Sequence, residues 1–453
     1  MRKIIQYMMM ALIAVVLASC ANDISEESTP TVKSNIRFVV DDFPMFEKPS
    51  TRTIGEEDKG KTAWAVGDEI CVKLESKELG TQTATLKYNG VKFELQDGNS
   101  LGYLEDEPVT AYAYYAPNRR WRNGSLDFKD IYGNPNGTAE FLEATCTVHY
   151  GDNNYVDISF ANATRNYSRL RIATIPKTEI KVDADNFAPT DNPNLLYMTY
   201  TLTSDEKGNA YLYGTFDNNS IVTVKYRGAS LATHKFSKKT ENAKSYALDA
   251  TVISANSAEE IYSAIKQEIA DGKTAIRLNL ASDAGDNEFN AIREAFENVR
   301  GNGTIDLTLI GCKEIPVNGL YHIMALKSIT LPDVTKIRMD ALSSCLYLQE
   351  ICAPNVSAID EYAFGKCRYL KKVTLGKLTD VRGEANSRSG IFDDINDLNP
   401  DIDLYLPKNQ EVMEFDENSK QYIWKPTGES YFAGSDKDNV FLGYQFMSVK
   451  KWE

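Results

Sequence analysis

Residues 326–337 read LKSITLPDVTKI, residues 348–359 LQEICAPNVSAI, and residues 370–381 LKKVTLGKLTDV. The apolar slots recur every 22 residues: Leu326, Leu348 and Leu370; Ile329, Ile351 and Val373; Leu331, Ala353 and Leu375; Val334, Val356 and Leu378; Ile337, Ile359 and Val381. Between them Ala341-Leu342 returns as Ala363-Phe364, and Cys345 as Cys367. A unit this short cannot bury its own apolar face and does so only against a neighbour, so a fixed period of this length predicts a stacked solenoid.

Tracking only the strand core extends the pattern to six rungs. The inward pairs are Leu278/Leu280, Leu307/Leu309, Ile329/Leu331, Ile351/Ala353, Val373/Leu375 and Leu404/Leu406, at steps of 29, 22, 22, 22 and 31 residues. The longer steps at the start hold helices. Ser257 and Glu260 form a capping box ahead of Ile261, Ala264, Ile265 and Ile269, and Asp271-Gly272 stops that helix. Asp286 caps a second helix with Ile292, Ala295, Phe296 and Val299 inward. The 22-residue rungs leave no room for a full helix, and a short helical turn is expected at Ala341-Leu342 and Ala363-Phe364.

Upstream, residues 34–251 show many short strand patterns and no sustained helical period. Turn signals such as Asn89-Gly90 and Asp97-Gly98 punctuate them, which predicts an all-β antiparallel sandwich. The expected organisation is a leader at 1–20, a tether at 21–33, the sandwich at 34–251, an α/β solenoid at 252–407 and a β cap at 408–453. The cap would include Tyr422 to Trp424 and Val440 to Phe446.

Residues 1–20 pair a basic start, Arg2 and Lys3, with an apolar run from Ile4 to Leu17, too short to span a bilayer with ease. The ending Leu17-Ala18-Ser19-Cys20 resembles the bacterial lipoprotein lipobox, which implies acylation of Cys20 and a membrane anchor. Asp23, Glu26 and Glu27 resemble the surface-export signal of Bacteroidetes lipoproteins, implying the outer membrane and a site facing the exterior.

The motif Thr51-Arg52-Thr53, then Trp64, then Val66-Gly67-Asp68-Glu69-Ile70-Cys71-Val72, has its own local physics. Trp64 plugs a core, Gly67-Asp68 turns the chain, and Ile70 and Val72 face inward on the strand that leaves the turn. The arrangement resembles the fimbrillin family of Bacteroidetes over about residues 34–250. That resemblance implies secretion as a lipoprotein and, in pilus-building members, cleavage after an arginine followed by strand exchange. Arg52 is the nearest match to the cleaved residue, with Arg37 second. Some 200 residues of other structure follow the sandwich, which argues against a shaft subunit and for an anchor, tip or stand-alone role. The 22-residue unit, through Leu331-Pro332, Ala363-Phe364, Cys367 and Leu370, resembles BspA-type leucine-rich repeats, whose members are bacterial surface proteins implicated in adhesion. Val334 and Val356 stand where other leucine-rich repeats carry asparagine.

The 453-residue chain carries a net charge of −14, or −16 without the first 20 residues, which disfavours nucleic acid and anionic membrane surfaces as partners. Its three histidines, His149, His234 and His322, sit in no catalytic or metal-binding spacing. Cys71, Cys146, Cys312, Cys345, Cys352 and Cys367 match no zinc or disulfide pattern and read as buried thiols. These features predict a non-enzyme with no cofactor and no metal. Binding is the expected activity, on the outward positions of the rungs: Arg277, Asn279, Asp306, Thr308, Ser328, Thr330, Glu350, Cys352, Lys372, Thr374, Asp403 and Tyr405. The partner would be a host or bacterial surface macromolecule, protein or glycan, or a pilus subunit. The polar insertion at 382–399, which includes Ser389, is a second candidate surface.

Overall fold

The structure is a computed structural model. It describes residues 32–452 except 34–35, 49–58, 97–100, 105–106, 118, 123–124, 128–135, 151–153, 162–164, 191–193, 195–196, 300, 384–389, 393–400, 420–421 and 435–437. Cys20, most of the tether, Arg52 with its neighbours, and Ser389 lie outside the described residues.

The first sheet contains β1 (Arg37–Val40), β2 (Glu69–Ser76), β3 (Gly80–Tyr88), β4 (Phe93–Leu95), β5 (Thr110–Tyr115), β6 (Leu142–His149) and β7 (Tyr155–Ser159), in the order β1-β7-β6-β5-β2-β3-β4. Its core gathers on Trp64, whose ring meets Phe43, Phe93, Tyr115 and Phe160 edge-on at 4.8, 4.9, 5.3 and 5.6 Å. Such edge-to-face pairs favour this geometry over a flat stack. Asp68 N–H donates to Ala65 O at 2.9 Å, and Gly67 sits at φ +93°, which forms the expected tight turn. Ile70 and Val72 leave that turn fully buried.

The second unit packs two four-stranded sheets. Its strands are β8 (Ser168–Ala173), β9 (Glu179–Asp185), β10 (Phe187–Pro189), β11 (Tyr197–Thr203), β12 (Asn209–Phe216), β13 (Ile221–Tyr226), β14 (Ala229–Lys235) and β15 (Ser245–Asp249), ordered β10-β12-β8-β15 and β11-β9-β13-β14. The segment 34–251, expected as one sandwich, thus holds two apolar cores, one on Trp64 and one on Phe187, Tyr200 and Phe216. Pairing is antiparallel except for β1 with β7 and β8 with β15, which run parallel. The two cores are stitched by chain crossing between them: Glu47 bridges Lys244, and Tyr213 N–H donates to Gly137 O at 2.7 Å. Arg165, fully buried, pairs with Glu140, donates to Pro44 O at 3.1 Å and lies 3.8 Å from the centre of the Phe46 ring.

Only Ala250, Thr251 and Val252 separate β15 from the third unit. There, β16 (Ile253–Ser254), α1 (Ala258–Ala270), β17 (Ala275–Asn279), α2 (Asp286–Phe296), β18 (Ile305–Ile310), β19 (Glu314–Ile315), β20 (Leu326–Thr330), β21 (Lys336–Ile337), β22 (Glu350–Ala353), β23 (Ala358–Ile359), β24 (Lys372–Leu375), β25 (Asp380–Arg382), β26 (Asp403–Pro407), β27 (Glu411–Asp416), β28 (Ile423–Ser430) and β29 (Ser448–Trp452) follow. The larger sheet runs β16-β17-β18-β20-β22-β24-β26-β29 with every pair parallel. Stacking therefore extends one rung beyond the six-rung expectation at each end. A second sheet, β19-β21-β23-β25-β28-β27, gives the slots of Ile337, Ile359 and Val381 a strand of their own.

Helix α1 has the expected Ser257 cap, with Glu260 N–H donating to Ser257 Oγ, but the Glu260 side chain returns one residue earlier than a capping box requires, accepting from Asn256 N–H at 2.7 Å. Helix α2 is capped by Gly285, not Asp286: Glu288 reaches back to accept from Gly285 N–H at 2.9 Å, and Asp286 is the first helical residue. The expected short helical turns are also corrected. Residues 338–349 and 360–371 form non-helical turns, with left-handed φ at Asp340 and Ser344 and again at Tyr362 and Lys366. Each turn hydrogen-bonds to the next rung, Leu320 N–H to Ala341 O at 2.7 Å and Leu342 N–H to Ala363 O at 2.9 Å. With apolar Val334 and Val356 inside, the cysteines bond between rungs: Cys345 Sγ donates to Leu320 O at 3.1 Å and Cys367 Sγ to Leu342 O at 3.2 Å. Burial pushes the Cys345 thiol up to about 12, so it remains a weak donor. At the far end β28 pairs antiparallel with β25, and Tyr444 and Phe446 close edge-on over Phe392.

Candidate binding surface

Parallel register turns the outward positions of the larger sheet into two columns. One runs Ala275, Asp306, Ser328, Glu350, Lys372, Asp403, Ser448, and the other Arg277, Thr308, Thr330, Cys352, Thr374, Tyr405, Lys450. Inward residues between the columns are buried from Ile276 to Leu404, with Val449 of the last strand partly buried against the same core, which holds each outward side chain at fixed spacing along the stack.

The first rung is two residues out of the register the sequence suggested. Leu278 aligns with Leu309, and Ile276 takes the slot opposite Leu307. Asn279 therefore leaves the strip and aligns with Ile310 at the strand end. Two further expected positions are not open to a ligand. Arg277 is half-buried and donates from Nε to Leu231 O of β14 at 2.7 Å, and Thr308 is only 6% exposed.

From Asp306 onward the outward side chains are cross-linked within and between the columns. Ser328 Oγ donates to Asp306 Oδ1 at 2.6 Å, Lys372 Nζ to Glu350 Oε1 at 2.5 Å, and Lys450 Nζ lies 3.1 Å from Asp403 Oδ2. Burial lowers the Lys372 ammonium, but the hydrogen bond and charge of Glu350 carry it above its usual value. Hydrogen bonds from Ser448 and Lys450 hold the Asp403 carboxyl below the ordinary carboxylate range. Tyr405 sits between two cations, with Lys372 Nζ 5.6 Å and Lys450 Nζ 5.4 Å from its ring centre. Burial, then the charge of Glu350, pushes the Cys352 thiol up to about 11, which disfavours the reactive thiolate. The surface offers alternating charge, hydroxyls and one fixed aromatic ring. It suits non-covalent recognition of an extended polar partner and contains no activated nucleophile.

Ser448 and Lys450 belong to this surface and escaped the sequence reading, because β29 lies outside the repeat and has no 22-residue counterpart. The insertion at 382–399 is described only at 382–383, where Gly383 O accepts from Trp424 Nε1 at 2.9 Å, and at 390–392, where Ile391 and Phe392 are buried. Among the described residues no group of three or more His, Cys, Asp or Glu is placed to hold a metal ion. No helix among them is long and apolar enough to cross a membrane.

A family model described as BspA type leucine rich repeat region matches residues 291–392 in six copies, so this stretch is similar to that repeat family. A search of the curated proteins finds no match. Among solved structures the chain is similar to the shaft pilin SpaA of Lactobacillus rhamnosus GG, at 12% identity and a TM-score of 0.20, covering 49% of this chain and 97% of that one. It is also similar to a candidate cell adhesion protein of Bacteroides fragilis NCTC 9343, at 10% identity, TM-score 0.22, and 48% and 93% coverage. A third is GBS52, a minor pilin of Streptococcus agalactiae, at 8% identity, TM-score 0.18, and 48% and 95% coverage.

Proposed function

We propose that this protein is a surface-anchored, non-catalytic adhesin: a lipoprotein held by Cys20 in the outer membrane, facing the exterior, whose β-sandwich stalk presents a leucine-rich-repeat head to a host or bacterial macromolecule. The observation that carries the reading is the unbroken parallel sheet with its ordered outward row from Glu350 through Lys372, Asp403 and Tyr405 to Lys450. A rigid periodic surface of this kind can match an extended partner without ordering cost at binding. The repeat match over 291–392 and the lipobox-like ending at Cys20 support the same reading.

The test is an array of matrix proteins and glycans probed with the full chain, followed by titration of any hit. Tyr405→Ala together with Lys372→Ala is expected to weaken binding by about 30-fold or more, the scale of a hot-spot loss of ~2 kcal/mol. Unchanged affinity would place recognition elsewhere on the molecule.

A second reading is an anchor, tip or accessory subunit of a strand-exchanging pilus, with processing after Arg52. It is favoured by β1, an edge strand upstream of Arg52 that faces β4 across an open groove of about 740 Å³ lined by Phe38, Phe93 and Tyr155. A mature N-terminus at Thr53 in purified fibres would support it. Fibres lacking the protein would remove it.

A further inference from the structure

The turn between β13 and β14 has an uncommon composition. Arg227 at φ +47° and Gly228 at φ +88° form a two-residue hairpin loop with both central residues left-handed. Asn-Gly or Asp-Gly is the usual choice there, and a long side chain at the first position is disfavoured unless something else holds it. What holds it here is the solenoid. Arg227 Nη1 lies 2.8 Å from Asp333 Oδ1, a carboxylate whose side chain is 3% exposed and which also accepts from Gly311 N–H at 2.9 Å. Arg227 O accepts from Asn355 Nδ2 at 3.1 Å, and Leu231 O accepts from Arg277 Nε at 2.7 Å. A Cβ at Gly228 would stand 3.5 Å from Pro354 and 3.7 Å from Trp452, so the turn lies in contact with both. Trp452 is itself oriented by donating from Nε1 to Leu375 O at 2.9 Å.

These contacts reach the solenoid at β17, at the loops after β20 and β22, and at the last strand. Together with the three-residue connection at 250–252, they leave little freedom between the two units. Asp333 and Asn355 follow consecutive rungs at the same slot of the repeat, so the stacking itself builds the receptor for the turn.

We propose that the strand-end margin of the larger sheet is an internal docking site whose ligand is this chain's own turn, Tyr226 to Leu231. The solenoid clamps the second sandwich into one rigid body, while the outward side chains of Asp306, Glu350, Lys372 and Asp403 stay part-exposed and available to another macromolecule. Arg277 is then an interface residue of the clamp, not part of a recognition strip. The proposal stands whether or not those outward side chains bind anything.

The test uses the full chain and the variant Arg227→Asn/Arg277→Met. Asparagine suits the left-handed position, so the hairpin itself is retained while both guanidinium ties are removed. Solution X-ray scattering of the natural chain should fit one fixed arrangement of the second sandwich and solenoid, and the variant should show a larger maximum dimension. Thermolysin cleavage at 250–252 should become about tenfold faster in the variant, as local opening gains population. Should the variant fold poorly by circular dichroism, Arg227→Glu, which sets like charges against Asp333, gives the same two readouts. Scattering from the natural chain that requires several relative orientations, or superimposable profiles and equal cleavage rates for natural chain and variant, would overturn the proposal.

Discussion

Replacing Glu140 with alanine is expected to destabilise the chain by about 3–5 kcal/mol, the cost of stranding a buried charge. Arg165 has no exposed side-chain surface, and Glu140 is its carboxylate partner. A guanidinium cannot shed its proton, so removal of the carboxylate leaves a full charge in an apolar setting. The reverse change is milder. Burial already pushes the Glu140 carboxyl above its ordinary range, against the opposing pull of Arg165, Arg169 and Lys61, so in Arg165→Met the acid, unlike a guanidinium, can relieve the stranded charge by taking up a proton. Arg165→Met should therefore cost clearly less than Glu140→Ala, and the double variant less than the sum of the two. Urea unfolding of the natural chain and the three variants, followed by near-ultraviolet circular dichroism, measures all three differences. Equal costs for the two single changes would mean that water reaches the pair.

Phe364→Ala is expected to cost a similar amount, about 3–5 kcal/mol, by a different mechanism. Its ring is fully buried in the solenoid core, 5.4 Å from the centre of the Phe392 ring. Truncation opens a cavity between two rungs, and each rung is stable only through its neighbours, so the loss is felt along the stack. The rung before carries Leu342 at the same slot, which makes Phe364→Leu the informative control. That change keeps most of the volume and should cost under about 1.5 kcal/mol. The midpoint of guanidinium unfolding monitors both. An alanine variant with an unchanged midpoint would show that the rungs repack freely, contrary to a close-packed stack.

Much of the solenoid was legible because its causes are local. An apolar residue every 22 positions reports a burial requirement that each rung repeats, and the Ser257 to Glu260 cap is decided within four residues. The first rung was misplaced by two residues because Ile276, Leu278 and Leu280 are all apolar and all buried, so alternation alone cannot choose between registers. Residues 34–251 were read as one unit because strand patterns do not reveal which strands share a core. The boundary is set by crossing segments such as Glu47 against Lys244, almost two hundred positions apart in the chain.

The candidate surface divides along the same line. Which side chains point outward follows from alternation along a strand, and Glu350, Lys372, Asp403 and Tyr405 are where that rule puts them. Which of those positions stay open is a property of how the units meet. Arg277 was read as a ligand contact and is instead a tie to Leu231, because a hairpin 46 positions earlier folds back against its rung. Lys450 joins Tyr405 only because the last strand returns to the stack beside β26.

By itself, the sequence determined that the C-terminal half stacks in parallel rungs with cysteine, leucine and isoleucine inside, since periodic burial is written residue by residue. Tertiary structure alone decided which of its faces the chain keeps for itself, since Arg227 and Asp333 become partners only after separate units come together.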